Sequence, residues 1–308
     1  MTDLRDAASE YLAVRRALGF KLIEAERLLH QFLDYLEQQQ TMSITIEIAL
    51  TWATMPHEAT AWWWRKRLGV VRGFARYLAA FNPDVEVPPA GLIVASMRRN
   101  RPYRYSETDL GALMHAAGEL RLPLQQATYQ TLLGLLAVTG MRVGEAIALD
   151  VGDVDFENDR LVIRHGKFGK SRELMVHPTT TEALAGYLQL RVRHCPGPSS
   201  TALLISTVGT RLHYPNVSAV FRRLVRQAGL HLDEEGRRPR LHDLRHGFAL
   251  RTVAGWYATG ADVDARLPLL STYLGHTDPA NTYWYLSATP ELLGLAAKRL
   301  ETFLEVSG

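Results

Sequence analysis

The first 86 residues place apolar side chains at the three- and four-residue spacing of amphipathic helices, which bury one face. The spacing predicts helices over about 3–18, 23–38, 45–53 and 58–80, the first ending at Gly19. In the last of these, Leu68, Val71 and Ala75 are expected to face a core. The pattern predicts a helical domain over 1–87.

The pattern changes after residue 87. Prolines and arginines are frequent over 88–104, which predicts a linker. Ser106 with Asp109 three residues later is typical of a helix start. From 154 to 178 the apolar positions alternate, so LVIRH and RELMVH predict two strands joined by the turn GKFGKS. Further helices are predicted over about 107–119, 124–138, 179–192, 214–229, 241–259, 264–274 and 289–304. We expect a mainly α fold with a small antiparallel β-sheet, the second domain covering 105–308.

Composition narrows the class of protein. The chain of 308 residues contains a single cysteine, so no disulfide can form within it, which fits a reducing compartment. The start MTDLRDAASE is not typical of a signal peptide, and no apolar run approaches the length of a membrane span. We expect a cytoplasmic protein without a structural metal. The net charge of +3 alone says little about partners.

The predicted helix over 58–80 carries a basic face. Arg65, Arg72 and Arg76 lie apart from its apolar positions, with Lys66 and Arg67 beside them. A solvated surface and a stripe that contacts phosphates both explain such a face, and the helix alone does not decide between them.

Four segments of the second domain carry side chains that could take part in catalysis. They are TGMRVGEAIALD with Arg142, the turn with Lys167 and Lys170, RLHDLRHGFA with His242 and Arg245, and YLGHTDPANTYWYLSA with His276, Tyr283 and Tyr285. On a helix, His242 and Arg245 would share a face, where an anion such as phosphate would offset two neighbouring cations. Each residue taken alone also has an ordinary structural explanation.

The order of these segments resembles the tyrosine recombinase family, also called phage integrases, with its Xer-type and Cre-type enzymes. The quoted motifs are TGMR-x-x-E-A, L-H-D-L-R-H and L-G-H-x-D followed by a tyrosine nine residues after the histidine. Carried over by motif, the implied catalytic residues are Arg142, Lys167, His242, Arg245, His276 and Tyr285. Glu145 matches an acidic position that supports the first arginine. The family spacing favours Tyr285 over Tyr283 as the nucleophile, and Lys167 over Lys170.

The resemblance implies an N-terminal SAM-like core-binding domain and a C-terminal catalytic domain that hold double-stranded DNA between them. It implies a 3′-phosphotyrosine intermediate and a reaction without metal or ATP. Lys167 is the expected acid for the 5′-oxygen, His242 assists proton transfer near the tyrosine, and His276 bonds the phosphate. We expect DNA contacts from Arg65, Arg72, Arg76 and Arg101. The resemblance also implies a bacterial protein that associates with the nucleoid. It implies a monomer or dimer when the protein is free and a homotetramer on DNA.

Other readings stay open at this point. A type IB topoisomerase-like nicking–closing enzyme would share the catalytic set. A DNA-binding regulator without catalysis is less compatible with the complete set, and a metal-dependent nuclease or transposase would need clustered carboxylates. The helix over 289–304 would pack either within its own subunit or on a neighbouring one. Integration, excision and dimer resolution all fit the sequence, which does not reveal the DNA site.

Overall fold

The computed structural model divides into two compact units, Met1–Asn100 and Arg101–Gly308. It describes residues 4–95, 102–164, 171–197, 200–233 and 236–276, together with 278, 282, 283 and 294. None of the described helices is both long and apolar enough to cross a membrane.

The first unit is helical. Its helices are α1 (Leu4–Ala17), α2 (Ile23–Gln38), α3 (Ile46–Thr54) and α4 (Ala61–Leu78). The hydroxyls of Thr45 and Thr60 accept from backbone N–H groups at the starts of α3 and α4, where such groups have no partner within the helix. Phe32 and Phe74 are fully buried in a core shared by all of these helices. The sequence placed α4 three residues too early, because Thr60 caps the helix instead of belonging to it.

The second unit combines helices with a small sheet, as the sequence predicts. Among the described residues, the bounded α-helices are α5 (Glu107–Gly118), α6 (Pro123–Thr139), α7 (Val143–Ala148), α8 (Pro178–His194), α9 (Tyr214–Gln227), α10 (Leu241–Ala258) and α11 (Val263–Leu274). Its strands are β1 (Val154–Asp155), β2 (Arg160–Ile163) and β3 (Arg172–Met175), paired antiparallel in the order β1–β2–β3. The Ser106–Asp109 capping box starts α5 as expected. The sequence did not predict α7 or β1, which are too short to show a period.

Helix α6 lies at the centre of this unit and packs against α5, α8 and α10. It ends at Gly140, whose φ of 61° is the left-handed conformation that glycine adopts most readily. A Cβ at Gly140 would lie 2.4 Å from Phe248 and 3.1 Å from Leu274. Glycine therefore lets α10 and the end of α11 approach the chain just before Arg142.

Candidate active site

Arg142 stands at the start of α7, where the chain turns after α6. Its backbone N–H donates to Glu145 at 2.9 Å, and its Nη1 donates to the same carboxylate at 2.8 Å. Its Nη2 donates to the carbonyl oxygen of Gly275 at 3.0 Å. About a quarter of the side chain remains exposed. The guanidinium is thus held on two sides and still reaches solvent.

Arg245 lies on α10 and is almost fully buried, with 2% of its surface exposed. Its Nη1 donates to the carbonyl of Gly140 at 2.8 Å, and its Nη2 donates to that of Leu274 at 2.7 Å. These bonds orient the plane of the guanidinium. A buried cation needs such partners, because burial without them costs several kcal/mol.

Arg172, the first residue of β3, joins the same place and was not singled out in the sequence. Its Nη1 and Nη2 donate to the two carboxylate oxygens of Glu145 at 3.1 and 2.8 Å. Its Nε donates to the carbonyl of Tyr273 at 2.8 Å. Glu145 therefore stands between Arg142 and Arg172. Burial raises the pKa of Glu145, but the hydrogen bonds from Arg172 and Arg142 lower it to about 2.

The end of α11 organises all of these arginines. The carbonyls of Tyr273, Leu274 and Gly275 follow one another in the chain and accept from Arg172, Arg245 and Arg142 respectively. We call these carbonyls the α11 carbonyl row. The last carbonyls of a helix carry partial negative charge and have no acceptor role within the helix, so guanidinium groups stabilise them. One helix end thereby fixes cations from three separate elements.

Two histidines of α10 face the same region. Backbone and side-chain bonds from Arg240 to the buried Asp243 fix the first turn of this helix. The rings of His242 and His246 then stack edge to face, with centroids 4.7 Å apart. Part of the His242 side chain is exposed to solvent. The surrounding protein nevertheless displaces water from the ring, which lowers its pKa. The positive charges of Arg245, Arg240 and Arg142 lower this pKa further. Burial and the charge of His242 lower the pKa of His246 to about 3. Both rings are neutral at pH 7.

His276 follows the α11 carbonyl row directly. Its Nδ1 lies 2.7 Å from the hydroxyl of Thr282, a residue that is 1% exposed. Burial lowers the pKa of His276 to about 4, and the charges of Arg245 and Arg142 add to the effect. Guanidinium groups and neutral imidazoles therefore lie near one another, and a phosphate accepts hydrogen bonds from groups of both kinds. Among the described residues, no group of three or more His, Cys, Asp or Glu side chains could hold a metal ion.

Comparison with known proteins agrees with this geometry. A sequence model described as the phage integrase family matches residues 104–291, which include every residue of the site. The chain belongs to the phage integrase family. The putative integrase/recombinase y4rB of Sinorhizobium fredii is 45% identical over 307 residues, which cover 98% of each chain. The tyrosine recombinase XerC of Azotobacter vinelandii is 32% identical over 218 residues, 71% of this chain and 67% of XerC.

The fold of the integrase is that of solved recombinases. A crystal structure of the XerH site-specific recombinase, bound to a palindromic difH substrate after cleavage, superposes with a TM-score of 0.66. The match covers 89% of the integrase and 78% of XerH at 19% sequence identity. At that identity the superposition establishes the fold. The mainly α architecture with a small antiparallel sheet, expected from the sequence, is confirmed.

The structure brings together some of the integrase's predicted site residues. Arg142, Glu145, His242, Arg245 and His276 meet around the end of α11. Lys167, Lys170, Tyr285 and Arg101 lie outside the described residues, as does the predicted helix over 289–304. Tyr283 is described, and 47% of it is exposed. The choice of Tyr285 over Tyr283 stays a prediction.

The arginines predicted to contact DNA from the first unit form a cluster on α4. Burial lowers the pKa of Arg72, and the charges of Arg76 and Arg65 lower it further. Arg72 donates to the carbonyls of Pro88 and Pro89, and Arg65 donates to that of Ala95. Two of these guanidinium groups thus also hold the segment that follows α4. Arg67 is buried under Trp52, whose carbonyl accepts from it, so it does not belong to the basic surface.

The second unit of the integrase also contains a basic cavity that the sequence did not reveal. It has a volume of about 660 Å³ and lies between α9 and the segment that leads to α10. Its charged lining comes from Arg222, Arg226 and Arg238, with His231 beside them. Arg222 and Arg226 are one helical turn apart on the exposed side of α9. The high arginine content of α9 was the available signal, but the sequence does not show that a later loop adds Arg238 to it.

Proposed function

We propose that this integrase is a site-specific recombinase that cleaves and rejoins double-stranded DNA through a 3′-phosphotyrosine at Tyr285. The α11 carbonyl row carries the proposal, since it fixes Arg142 and Arg245 beside His242 and His276. Preorganised cations of this kind typically stabilise a transition state by a few kcal/mol each. The family relationship supports the choice of a tyrosine nucleophile and of a DNA substrate.

The reaction exchanges one phosphoester for another. The phenol oxygen of Tyr285 forms a bond to phosphorus, and the bond from phosphorus to the 5′-oxygen breaks. The phenol proton passes to His242, and the ammonium of Lys167 gives a proton to the leaving 5′-oxygen. Because the phosphotyrosine conserves the bond energy, attack by another 5′-hydroxyl reverses the step without ATP. The protons move between side chains, and we propose that no metal is required.

The arginines suit the charge that develops on the non-bridging oxygens. A planar guanidinium donates two parallel hydrogen bonds to a phosphate, which a lysine ammonium does not. Arg142 is the more accessible of the two, and Arg245 is the more tightly fixed. Lysine at either position would keep the charge and lose the geometry.

The histidines contribute as neutral groups. A lowered pKa leaves His242 free of a proton at pH 7, as a proton acceptor must be. Thr282 contacts Nδ1 of His276, and we assign Nε2 of that ring to a hydrogen bond on the phosphate. A substrate with a 5′-bridging sulfur, whose leaving group needs no proton, is expected to restore cleavage to Lys167→Ala. Equal loss on both substrates would remove Lys167 from that role.

DNA contacts outside the cleavage site are proposed for both units. Arg65, Arg72 and Arg76 would contact phosphates from the first unit, and Arg101 and the basic cavity would do so from the second. The XerH structure is that of a recombinase on its DNA substrate. We also propose that a homotetramer forms on DNA, in which 289–304 contacts a neighbouring protomer. The mass of the complex on paired DNA sites tests this assembly.

Covalent capture tests the proposed function. The full chain is incubated with nicked duplexes that carry the sequences flanking its own gene, in EDTA and without ATP. We expect a denaturant-resistant protein–DNA complex, a free 5′-hydroxyl end and exchange of strands between two duplexes. Relaxation of supercoiled DNA without site preference or strand exchange would indicate a topoisomerase instead. DNA binding without covalent capture would indicate a regulator.

A further inference from the structure

Arg172 joins three elements of the active site. It begins β3, which directly follows the turn carrying Lys167 in the sequence. Its fork faces the carboxylate of Glu145 on α7, and its Nε faces the carbonyl of Tyr273 at the end of α11. Only 14% of its side chain is exposed. Its Nε, Nη1 and Nη2 all donate to protein partners, so the packing of the second unit holds the guanidinium in place.

The contact with Glu145 matters because Arg142 uses the same carboxylate. Glu145 is 7% exposed, and a buried carboxylate favours its protonated form unless cations and hydrogen bonds offset the loss of water. Among the residues that the structure describes, the charged groups that contact it are Arg142 from its own helix and Arg172 from β3. Removal of Arg172 leaves only Arg142 of these two guanidinium groups beside the buried acid. A protonated Glu145 would lose its charge-assisted bond to Arg142.

The contact with Tyr273 ties the same guanidinium to the α11 carbonyl row. Gly275 lies so close that a Cβ there would stand 2.8 Å from Nη1 of Arg172. Arg142 donates to the carbonyl of this same Gly275. The position of Arg172 thus sets the spacing between the helix end and the carboxylate, and Arg142 bridges that gap.

We propose that Arg172 is a positioning residue of the recombination reaction: it holds Glu145 ionised and fixed against α11, so that Arg142 presents its guanidinium to the scissile phosphate. This inference rests on the proposed function, because it assigns Arg172 an effect on the cleavage step. Arg172 acts through Glu145 and Arg142 and touches no reacting atom.

A double-mutant cycle tests the proposal on the duplex that wild-type protein captures covalently. Arg172→Gln and Glu145→Gln are each expected to slow single-turnover cleavage about 100-fold, as small misplacements of catalytic groups do. DNA affinity should stay within about twofold. The double variant is expected to be no slower than Glu145→Gln alone, since Arg172 acts through that carboxylate. Rates are measured on the folded fraction of each protein.

The pH profile separates positioning from a merely structural role. In Arg172→Gln, the pKa of Glu145 rises, so cleavage relative to wild type should fall further as pH decreases from 8 to 6. This additional fall in the cleavage rate at low pH should be absent in the double variant, which has no carboxylic acid at position 145. Arg172→Lys keeps a charge beside Glu145 but loses the fork. Arg172→Lys is therefore expected to abolish the additional fall in rate at low pH, while its cleavage rate stays at least about tenfold below that of wild type.

Arg160 provides the matched control. It lies on β2 of the same sheet, and its guanidinium pairs with Asp155 and Glu173. Arg160→Gln should cleave at the wild-type rate per folded molecule. Additive effects in the cycle, or a rate loss in Arg172→Gln equal to that in Arg160→Gln, would overturn the proposal. Failure of wild-type protein to form the covalent complex would instead overturn the proposed function, and this inference with it.

Discussion

The guanidinium of Arg245 donates to the carbonyl oxygen of Leu274 at 2.7 Å, although the two residues belong to different helices. The same side chain donates to Gly140 at the end of α6. Arg245 therefore connects α10 to the ends of two other helices and is itself held in place by them. The candidate active site and the packing of the second unit depend on the same bonds.

Arg245→Lys is expected to lower single-turnover cleavage about 100- to 1,000-fold, since one ammonium cannot reproduce the fixed pair of donors. Arg251→Lys is the control, because Arg251 lies on the same helix, is exposed and donates to the carbonyl of Ala137. Cleavage of a nicked duplex in one turnover measures both. A near-normal rate in Arg245→Lys would contradict the role given to the planar guanidinium.

Sequence periodicity predicted most of the architecture, because long amphipathic helices bury one face whatever their neighbours are. The helices that became α2, α10 and α11 were expected close to their observed bounds. The short α7 and β1 were missed, since neither is long enough for a period to appear. The motifs predicted that Arg142, His242, Arg245 and His276 share a site, and the structure brings them together.

The sequence did not predict Arg172 or the basic cavity, for a common reason. Arg172 contacts Glu145 across 27 residues and Tyr273 across 101. The cavity adds Arg238 to the arginines of α9 through a connecting segment. Neither relationship leaves a local pattern in the chain. Such contacts depend on how the elements pack, which spacing along the sequence does not encode.

Gly275→Ala is expected to slow cleavage by more than its backbone strain alone would explain. Alanine at a φ of 69° is strained, and its Cβ would also press on the guanidinium of Arg172. Gly260→Ala has a similar φ of 71° and open space around the Cβ, so it isolates the backbone strain of about 1–2 kcal/mol. Denaturant unfolding and single-turnover cleavage are compared. Gly275→Ala should be at least about tenfold slower per folded molecule. Equal rates would show that the contact with Arg172 is unimportant.

His246 should make the fold sensitive to mild acid. Its pKa is about 3 in the folded protein and near 6.5 when unfolded, so the unfolded chain binds the proton first as pH falls. The stability it contributes is complete above about pH 6.5 and declines steadily as pH falls toward 3. Between pH 7 and pH 5 the loss is on the order of 2 kcal/mol. Urea unfolding gives the free energy of unfolding at pH 7 and at pH 5, and the difference between the two should be smaller for His246→Gln than for wild type. The same difference in both proteins would contradict the lowered pKa of His246.

The basic cavity should contribute to DNA affinity through phosphates. Arg222→Gln combined with Arg226→Gln is expected to weaken binding and to lower the slope of log affinity against log salt by about 1 per lost contact. Arg193→Gln serves as control, since Arg193 is an exposed arginine of α8 outside the cavity. Titrations at several salt concentrations measure the slope. An unchanged slope in the double variant would remove the cavity from the DNA interface.

The identity of the covalently linked residue tests the central claim most directly. The complex trapped on a nicked duplex is digested with protease and nuclease, and the nucleotide-bearing peptide is sequenced by mass spectrometry. We predict a 3′-phosphate joined to Tyr285, and no complex from Tyr285→Phe, while Tyr283→Phe still forms one. A nucleotide on Tyr283 or on any other residue, or capture by Tyr285→Phe, would contradict the account.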